Sequence, residues 1–555
     1  MKSICNTRLL AAALTVAGML AATFGADAAG RGKAILTGVV YGDGAPLAGV
    51  HVSDGVQFAT TDAAGRYRLE SDKSAGFVFA VTPSNWVAAE ADGIQPLFWA
   101  ALDEKSDRDE RHDFRFASVD QSRYTMMFFT DLHLTNSSEK HDLDHYRSIA
   151  VPSISDEAAR ASARGPVYSL NLGDLSHDLY WYQYGFDVAS AKQFLERNGF
   201  PTLLYSIPGN HDNDAATQAG EAVDRRAEHL YRRTFGPTYY AMNIGDVHWI
   251  MMDNIIYRNT PGKGKKNVGV VGARDYDRGF TPAQLAWLRR DLATVDASKQ
   301  VCFCTHCPVF FDRDRWTLLS DPAQIDSLDA CFSKFDKVLI FSGHAHRILH
   351  ARNANYPRFE QYVLPATSGE MWTTNDRFQA LCVDGSDAGF VVATIDGGRF
   401  AYTYRTEAYG RKKLRAYDMN GVGEYYRSCE LVGVQQRLYP ERIDYGRPEY
   451  ANCIYVNYWE YQPGQRVEMY EKGRALEVEQ VEDEDPLYNI SHYLPALAEK
   501  PVFKKGDARV ISHHMFAAKA RTATAPVEIR IVDADGTVLH SETLERPKSF
   551  DKEIR

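Results

Sequence analysis

The chain has 555 residues, 45% of them apolar and 25% charged, and a formal net charge of -10 at pH 7. That length exceeds one hydrophobic core and points to three or four domains, while the composition excludes a disordered or fibrous chain. The acidic balance lacks the basic face that phosphate-backbone binding needs, so nucleic acid is not expected as a partner.

Residues 1–28 read as a secretory signal peptide. Lys2 and Arg8 give a positive start, residues 9–24 are largely apolar, and Ala26-Asp27-Ala28 offers a small-x-small cleavage site. The run is shorter than the roughly 20 residues of a membrane-spanning helix. The expectation is a cleaved leader, a mature chain without a transmembrane segment, and a periplasmic or secreted location. An uncleaved N-terminal anchor is the alternative.

Residues 29–118 form a first region. Short alternating runs at 35–41, 49–53 and 65–69 are separated by Asp43-Gly44, Asp54-Gly55 and Ala64-Gly65, the pattern of half-buried strands and tight turns in a small β-sandwich. From 119 to 405 the rhythm changes to layered α/β structure. Strands are predicted at 124–130, 167–172, 202–207, 247–252, 301–305 and 338–341, and amphipathic helices near 187–198, 222–234, 282–294 and 323–334. Thr281-Pro282 is a good N-cap and first-turn pair for the third helix.

Residues 389–395 and 400–405 return to β patterning, and 406–555 form a β-rich C-terminal region with strands at 527–532 and 538–544. A second sandwich is expected there. The run 477–485, six acids in nine residues, reads as a solvated loop. Of the eight cysteines, seven follow residue 28, too few for a disulfide framework. Cys302, Cys304 and Cys307 surround His306, but cysteines alternating with apolar residues behave as small core hydrophobes rather than as metal ligands.

The chemistry concentrates at the C-terminal ends of the predicted strands. Asp131-Leu132-His133, Gly173-Asp174, Gly209-Asn210-His211-Asp212, His306 and Gly343-His344-Ala345-His346 each follow one. Loops at that edge of a layered α/β fold converge on one crevice. Carboxylates, an amide oxygen and neutral imidazoles suit two divalent ions in mixed oxygen and nitrogen shells, Mn, Fe or Zn. In Asp131-x-His133 and His344-x-His346 the two residues share one face of an extended segment and so point into one site. Gly173, Gly209 and Gly343 let the backbone turn tightly beside the ions.

In this order the five motifs resemble those of the calcineurin-like metallophosphoesterase superfamily, over about residues 120–390. The flanks are similar to an exported bacterial subgroup with an N-terminal sandwich and a C-terminal β-domain. Gly38-Val39-Val40-Tyr41 with Leu47-Ala48-Gly49-Val50, Thr61-Asp62 with Gly65-Arg66-Tyr67, and residues 239–254 carry that likeness. The resemblance implies a central β-sandwich flanked by helices, and an exported hydrolase of phosphate mono- or diesters. It implies Asp131, His133 and His346 on one metal, Asn210, His306 and His344 on the other, and Asp174 between them. Two such ions clamp the phosphoryl group and supply a hydroxide for in-line attack. His211, beside Asn210, would assist the leaving oxygen.

One departure stands out. Where some members place a carboxylate three residues after the bridging aspartate, this chain has His177, with Asp178 one later. Asp178 or Asp212 could orient His211, or neither, and Asp178 could instead cap a helix. No tyrosine stands where purple acid phosphatases use one as an iron ligand. The aromatic run Tyr180-Trp181-Tyr182-Gln183-Tyr184, and Met371-Trp372, could wall the cleft or belong to the core. The loop 258–266 gathers Arg258, Lys263, Lys265 and Lys266 among Pro261, Gly262 and Gly264, and could collect anions or simply face water.

The substrate class implied is a phosphorylated small molecule or an envelope phospholipid or glycan. The competing reading is a non-catalytic envelope or glycan-binding protein carrying a relic domain, which lost ligands would favour; none is lost. No H-E-x-x-H supports a metallopeptidase.

Overall fold

The computed structural model describes residues 33–553 apart from 138–140, 263–266, 311–318, 373–379, 407–409, 411 and 496–510. Residues 1–28, and with them the predicted leader, lie outside the described residues. So do Lys263, Lys265 and Lys266. No helix among the described residues is long and apolar enough to cross a membrane.

Two sheets pack face to face at the centre. The first holds β1 (Arg123–Phe129), β2 (Val167–Asn171), β3 (Leu204–Ser206), β10 (Gly389–Asp396) and β11 (Arg399–Thr406), ordered β3-β2-β1-β10-β11. The second holds β4 (Tyr240–Ile244), β5 (Val247–Met251), β6 (Gln300–Cys304), β7 (Val338–Ser342), β8 (Leu349–Arg352) and β9 (Phe359–Val363), ordered β4-β5-β6-β7-β9-β8. β1, β2 and β3 run parallel to one another, as do β5, β6, β7 and β9.

Alternate residues of β1 split between two cores, as the two-residue period of a strand requires. Tyr124, Met126 and Phe128 face the second sheet, with Trp249 and Phe341 opposite; Met127 and Phe129 face outward. Helices α1 (Val151–Ser162) and α2 (Val188–Arg197) cover that outward face through Ile154, Ala158, Phe194 and Leu195. Helices α3 (Pro282–Thr294) and α4 (Gln324–Cys331) close the other side with Trp287, Leu288 and Leu328. The Thr281 side chain accepts from the Gln284 amide and the Gln284 side chain from the Thr281 amide, a reciprocal cap. The fold class is therefore the expected one, a layered β-sandwich flanked by helices, with sheet-rich regions on either side.

The six predicted strands lie within two residues of those observed, while β4, β8 and β9 were not expected. Glu360 and Gln361 interrupt the apolar run of β9, yet both are buried. The Gln361 side chain accepts from the amides of Val309 and Phe310, which places a polar residue inside at no loss of hydrogen bonds. The helix α1 was also unexpected; its Pro152 stands in the first turn, where the missing N–H costs no helical hydrogen bond.

The N-terminal region is a sandwich of a six-stranded and a four-stranded sheet around Leu36, Val40, Val52, Val78 and Phe114. The C-terminal region stacks two four-stranded sheets around Val456, Phe516, Ile529 and Ile531. Two helices at Met419–Ser428 and Glu430–Leu438 cover its first sheet, an addition to the all-β expectation. The acidic run is corrected too. Val478–Glu484 is a strand paired with Ile511–Lys519. Its last acids are buried, Glu484 against Arg442 at 3.0 Å and Asp485 accepting from Tyr417.

Candidate metal centre

The five motifs leave the same edge of the two sheets, at the ends of β1, β2, β3, β6 and β7, and their side chains meet. Asp131 is fully buried. Its Oδ2 accepts from Thr130 Oγ1 at 2.7 Å and from the His344 amide at 2.8 Å. Its Oδ1 has no hydrogen-bond partner and lies 3.4 Å from His346 Nε2 and 3.8 Å from His133 Nε2. Those two nitrogens stand 3.0 Å apart. At most one proton fits between them, so at least one nitrogen lone pair and a carboxylate oxygen without a hydrogen-bond partner converge on one point.

A second convergence lies beside it. His306 Nδ1 must donate to Leu172 O, 2.8 Å away, because a carbonyl can only accept. That fixes the tautomer and leaves Nε2 as a lone pair in neutral His306. This nitrogen is 3.1 Å from Asn210 Oδ1 and 3.3 Å from Asp174 Oδ2. Asp174 Oδ2 is also 3.8 Å from His133 Nε2, so one carboxylate oxygen faces both clusters. The His344 ring lies 5.0 Å from that of His306. Asp131, His133 and His346 form one group able to hold a cation, and Asp131, Asp174 and His306 another. The donor set fits divalent ions: buried acceptors facing acceptors are costly unless a cation sits among them.

The electrostatics agree. Burial works against the charged imidazolium at His306 and His346, yet Asp174 and Asp131 respectively outweigh it and lift each to about 9. Burial would raise Asp131 and Asp174, but the facing histidines hold both below the usual carboxylate range. Burial pulls His344 down to about 3. Protons on His306 and His346 therefore compete with any metal. Apparent Mn2+ affinity should rise as pH increases towards about 9, with proton release, and weaken as pH falls. Calorimetric titration in two buffers of different ionisation enthalpy measures both effects.

Backbone strain marks the same residues. Asp131, His133, Asp174, His344 and His346 all have positive φ, between 47° and 67°. The two i, i+2 pairs thus converge through left-handed turns and not, as expected, along an extended face. Such conformations cost on the order of 1 kcal/mol each and persist at functional sites. The glycines act differently from one another as well. Gly173 has φ 98°, whereas Gly209 is extended and supplies space: a Cβ there would sit 2.2 Å from Asp174 Oδ1. At Gly343 a Cβ would meet Thr130 Oγ1 at 1.8 Å.

His211 stands at the edge of the pair with its side chain 14% exposed. Its amide donates to Asp174 Oδ1 at 2.7 Å, and its Nδ1 lies 2.8 Å from Asp178 Oδ1. Asp178 faces His211, while Asp212 is spent on the loops, accepting from the amides of Leu175, Ser176 and Gly209. Arg274 holds Asp178 with both ends of its guanidinium, Nε 2.6 Å from Oδ2. Sequence reasoning missed Arg274, a lone arginine in a loop 63 residues from His211, where no pattern marks it. His133, Asp174 and His211 also form a group close enough to share an ion.

Other expectations divide. Cys302 and Cys304 are buried core residues of β6. Cys307 is buried as well, and its sulfur lies within 4.8 Å of ring nitrogens of His306 and His344, closer to the centre than a purely packing cysteine. Trp181 and Trp372 are 3% and 1% exposed and belong to the core; Trp372 Nε1 donates to Leu132 O and so braces the first motif. Tyr182 is 46% exposed and its hydroxyl donates to Asp214. Arg258 pairs with Asp277, which leaves it less available as an anion collector.

Residues 124–347 match a family model described as calcineurin-like phosphoesterase, residues 34–119 one for its N-terminal part, and residues 361–538 one for its C-terminal part. No curated protein matches the sequence. Among solved structures, a dimetal phosphatase from Danio rerio is similar at 13% identity and a TM-score of 0.34, covering 51% of this chain and 96% of that one. A purple acid phosphatase from yellow lupin (Lupinus luteus) seeds is similar at 13% identity and a TM-score of 0.33, covering 64% of this chain and 57% of that one.

Proposed function

We propose that this chain, which belongs to the calcineurin-like phosphoesterases, hydrolyses phosphate mono- or diesters with two divalent metal ions. It is a metal-dependent phosphoesterase, and the finer reading concerns which residues act and how. Asp131, His133 and His346 would hold one ion and Asn210, His306 and His344 the other, with Asp174 between the two groups. The observation that carries this is the single oxygen, Asp174 Oδ2, facing His306 Nε2 at 3.3 Å and His133 Nε2 at 3.8 Å between two clusters of converging nitrogen and oxygen atoms. Mn, Fe and Zn all suit such a mixed shell. When bound, the ions neutralise phosphoryl charge and activate the attacking water.

The protein's own groups do the rest. The Thr130 hydroxyl and the His344 amide aim Asp131, and the Leu172 carbonyl orients His306. His211 Nδ1 lies between Asp178 and the Arg274 guanidinium; with Nδ1–H donated to Asp178, the general-acid role requires a second ring proton, carried on Nε2 towards the leaving oxygen. Arg274 keeps Asp178 from turning away.

The substrate is read as a phosphorylated small molecule or an envelope phospholipid or glycan, met outside the cytoplasm. The leader-like pattern of residues 1–28 supports export. The test is hydrolysis of a chromogenic phosphomonoester and a chromogenic phosphodiester by chelator-treated protein, with and without added Mn2+. Metal-restored turnover of either ester is expected. Turnover of neither with any of Mn2+, Fe2+ or Zn2+ would sink the reading.

A further inference from the structure

The loop 381–387 links the metal centre to the C-terminal region. At its base the Val383 amide donates to His346 O at 3.0 Å, and Leu381 O accepts from the Glu370 amide at 2.7 Å. Asp384 Oδ2 accepts from the Ile348 amide at 2.7 Å, so the backbone on both sides of Arg347 is tied to this loop. Its tip is seated in the first sheet of the C-terminal region. Three neighbouring strands, Leu414–Asp418, Cys453–Tyr458 and Ile511–Lys519, supply the seat.

Arg415 Nη1 donates to Gly385 O at 2.6 Å and pairs with Asp387. Asn457 Nδ2 donates to Asp384 O at 2.9 Å. His514 Nε2 lies 2.9 Å from Asp384 Oδ2, the same oxygen that receives the Ile348 amide. His514 is 2% exposed and Asp384 1%. A Cβ on Gly385 would stand 2.0 Å from Asp485 Cγ, and φ there is 79°, so the tip fits only as glycine. Two buried polar side chains in mutual contact, each otherwise costly to bury, define one geometry for the loop.

We propose that the C-terminal region is a positioning element of the metal centre, in which His514 acts through Asp384 to fix the backbone carrying His346. His346 sits in the left-handed region at φ 48°, a conformation that surroundings must enforce. The Val383 amide and Asp384 carboxylate supply that restraint on either side of Arg347, and His514 fixes the carboxylate. The proposal rests on the reading of His346 as a metal ligand.

The test is calorimetric titration of Mn2+ into metal-free, full-length protein, with hydrogen exchange of the Ile348 amide followed in the same metal-free sample. His514→Ala is expected to weaken one of the two ions by about ten- to a hundredfold, the usual effect of removing an outer partner. The second ion should bind as before, and the Ile348 amide should exchange faster. His514→Gln, which keeps a side-chain N–H for Asp384, should recover most of the affinity. Ile529→Ala, a cavity in the other sheet of the same region, should leave both affinities unchanged.

Should His514→Ala fail to fold, Asn457→Ala removes the neighbouring contact to Asp384 O and carries the same expectation. A folded variant of either kind that binds both ions as the wild type does, with Ile348 equally protected, overturns the proposal. So does equal weakening in Ile529→Ala, which would mean a general loss of stability. His346→Ala separates the two readings. If it still binds two ions, the ligand assignment is wrong; if it loses one while His514→Ala weakens neither, only the positioning role is wrong.

Discussion

Replacing Asp174 by asparagine is expected to abolish turnover while the chain stays folded. The change is nearly isosteric, so the packing of the loop after β2 survives. It removes the negative charge from the one oxygen that faces both His133 and His306. Without that charge two ions held by these clusters would lose their common anion, and their separation would no longer be set. The amide of His211 would also lose a charged acceptor, Asp174 Oδ1 at 2.7 Å. Circular dichroism and thermal melting check the fold, and metal analysis after dialysis counts the ions. Wild-type turnover at saturating Mn2+ would show that Asp174 does not bridge. Asn210→Ala tests the second ion alone and is expected to be as damaging.

His211→Ala should keep both ions and lose on the order of 10² to 10⁴ in kcat, the range of a general acid. The prediction follows from position. Its Nδ1 is engaged by Asp178, itself gripped by Arg274, so the imidazole has a fixed orientation and its other nitrogen is directed away from the Asp178 pair. Asp178→Asn leaves the imidazole in place but frees its tautomer, and should show a smaller kcat loss with unchanged metal content. Should His211→Ala bind one ion fewer, His211 belongs to the ligand set, as its closeness to His133 and Asp174 allows. A leaving group of low pKa needs no proton, so an activated aryl ester should suffer less in His211→Ala than an alkyl ester.

Much of the fold was legible because it rests on short-range regularities. The strands β1, β2, β5, β6 and β7 are largely apolar runs followed within two residues by Asp, Gly or His, and burial on both faces is what such runs require. Thr281, Pro282 and Gln284 specify a helix start through bonds among four residues, and the helix begins there. The candidate ligands were legible for the same reason, since each motif is local and chemically distinctive.

Tertiary structure decided what depends on distant partners. Whether Asp178 or Asp212 faces His211 is set by where the loops after β2 and β3 cross, and no local pattern encodes it. Arg274 and His514 act only because the fold brings each beside a carboxylate 96 and 130 residues away in sequence. The run 477–485 looked soluble by charge, yet it became a strand because Ile511–Lys519 offered a free edge and Arg442 a cation for Glu484. Left-handed φ at Asp131, His133, Asp174, His344 and His346 is likewise invisible in the sequence, because Asp and His adopt it at only a minority of their positions. Sequence determined which groups are available to bind metal; long-range packing decided their geometry, because strained and buried polar arrangements persist only when the whole structure holds them.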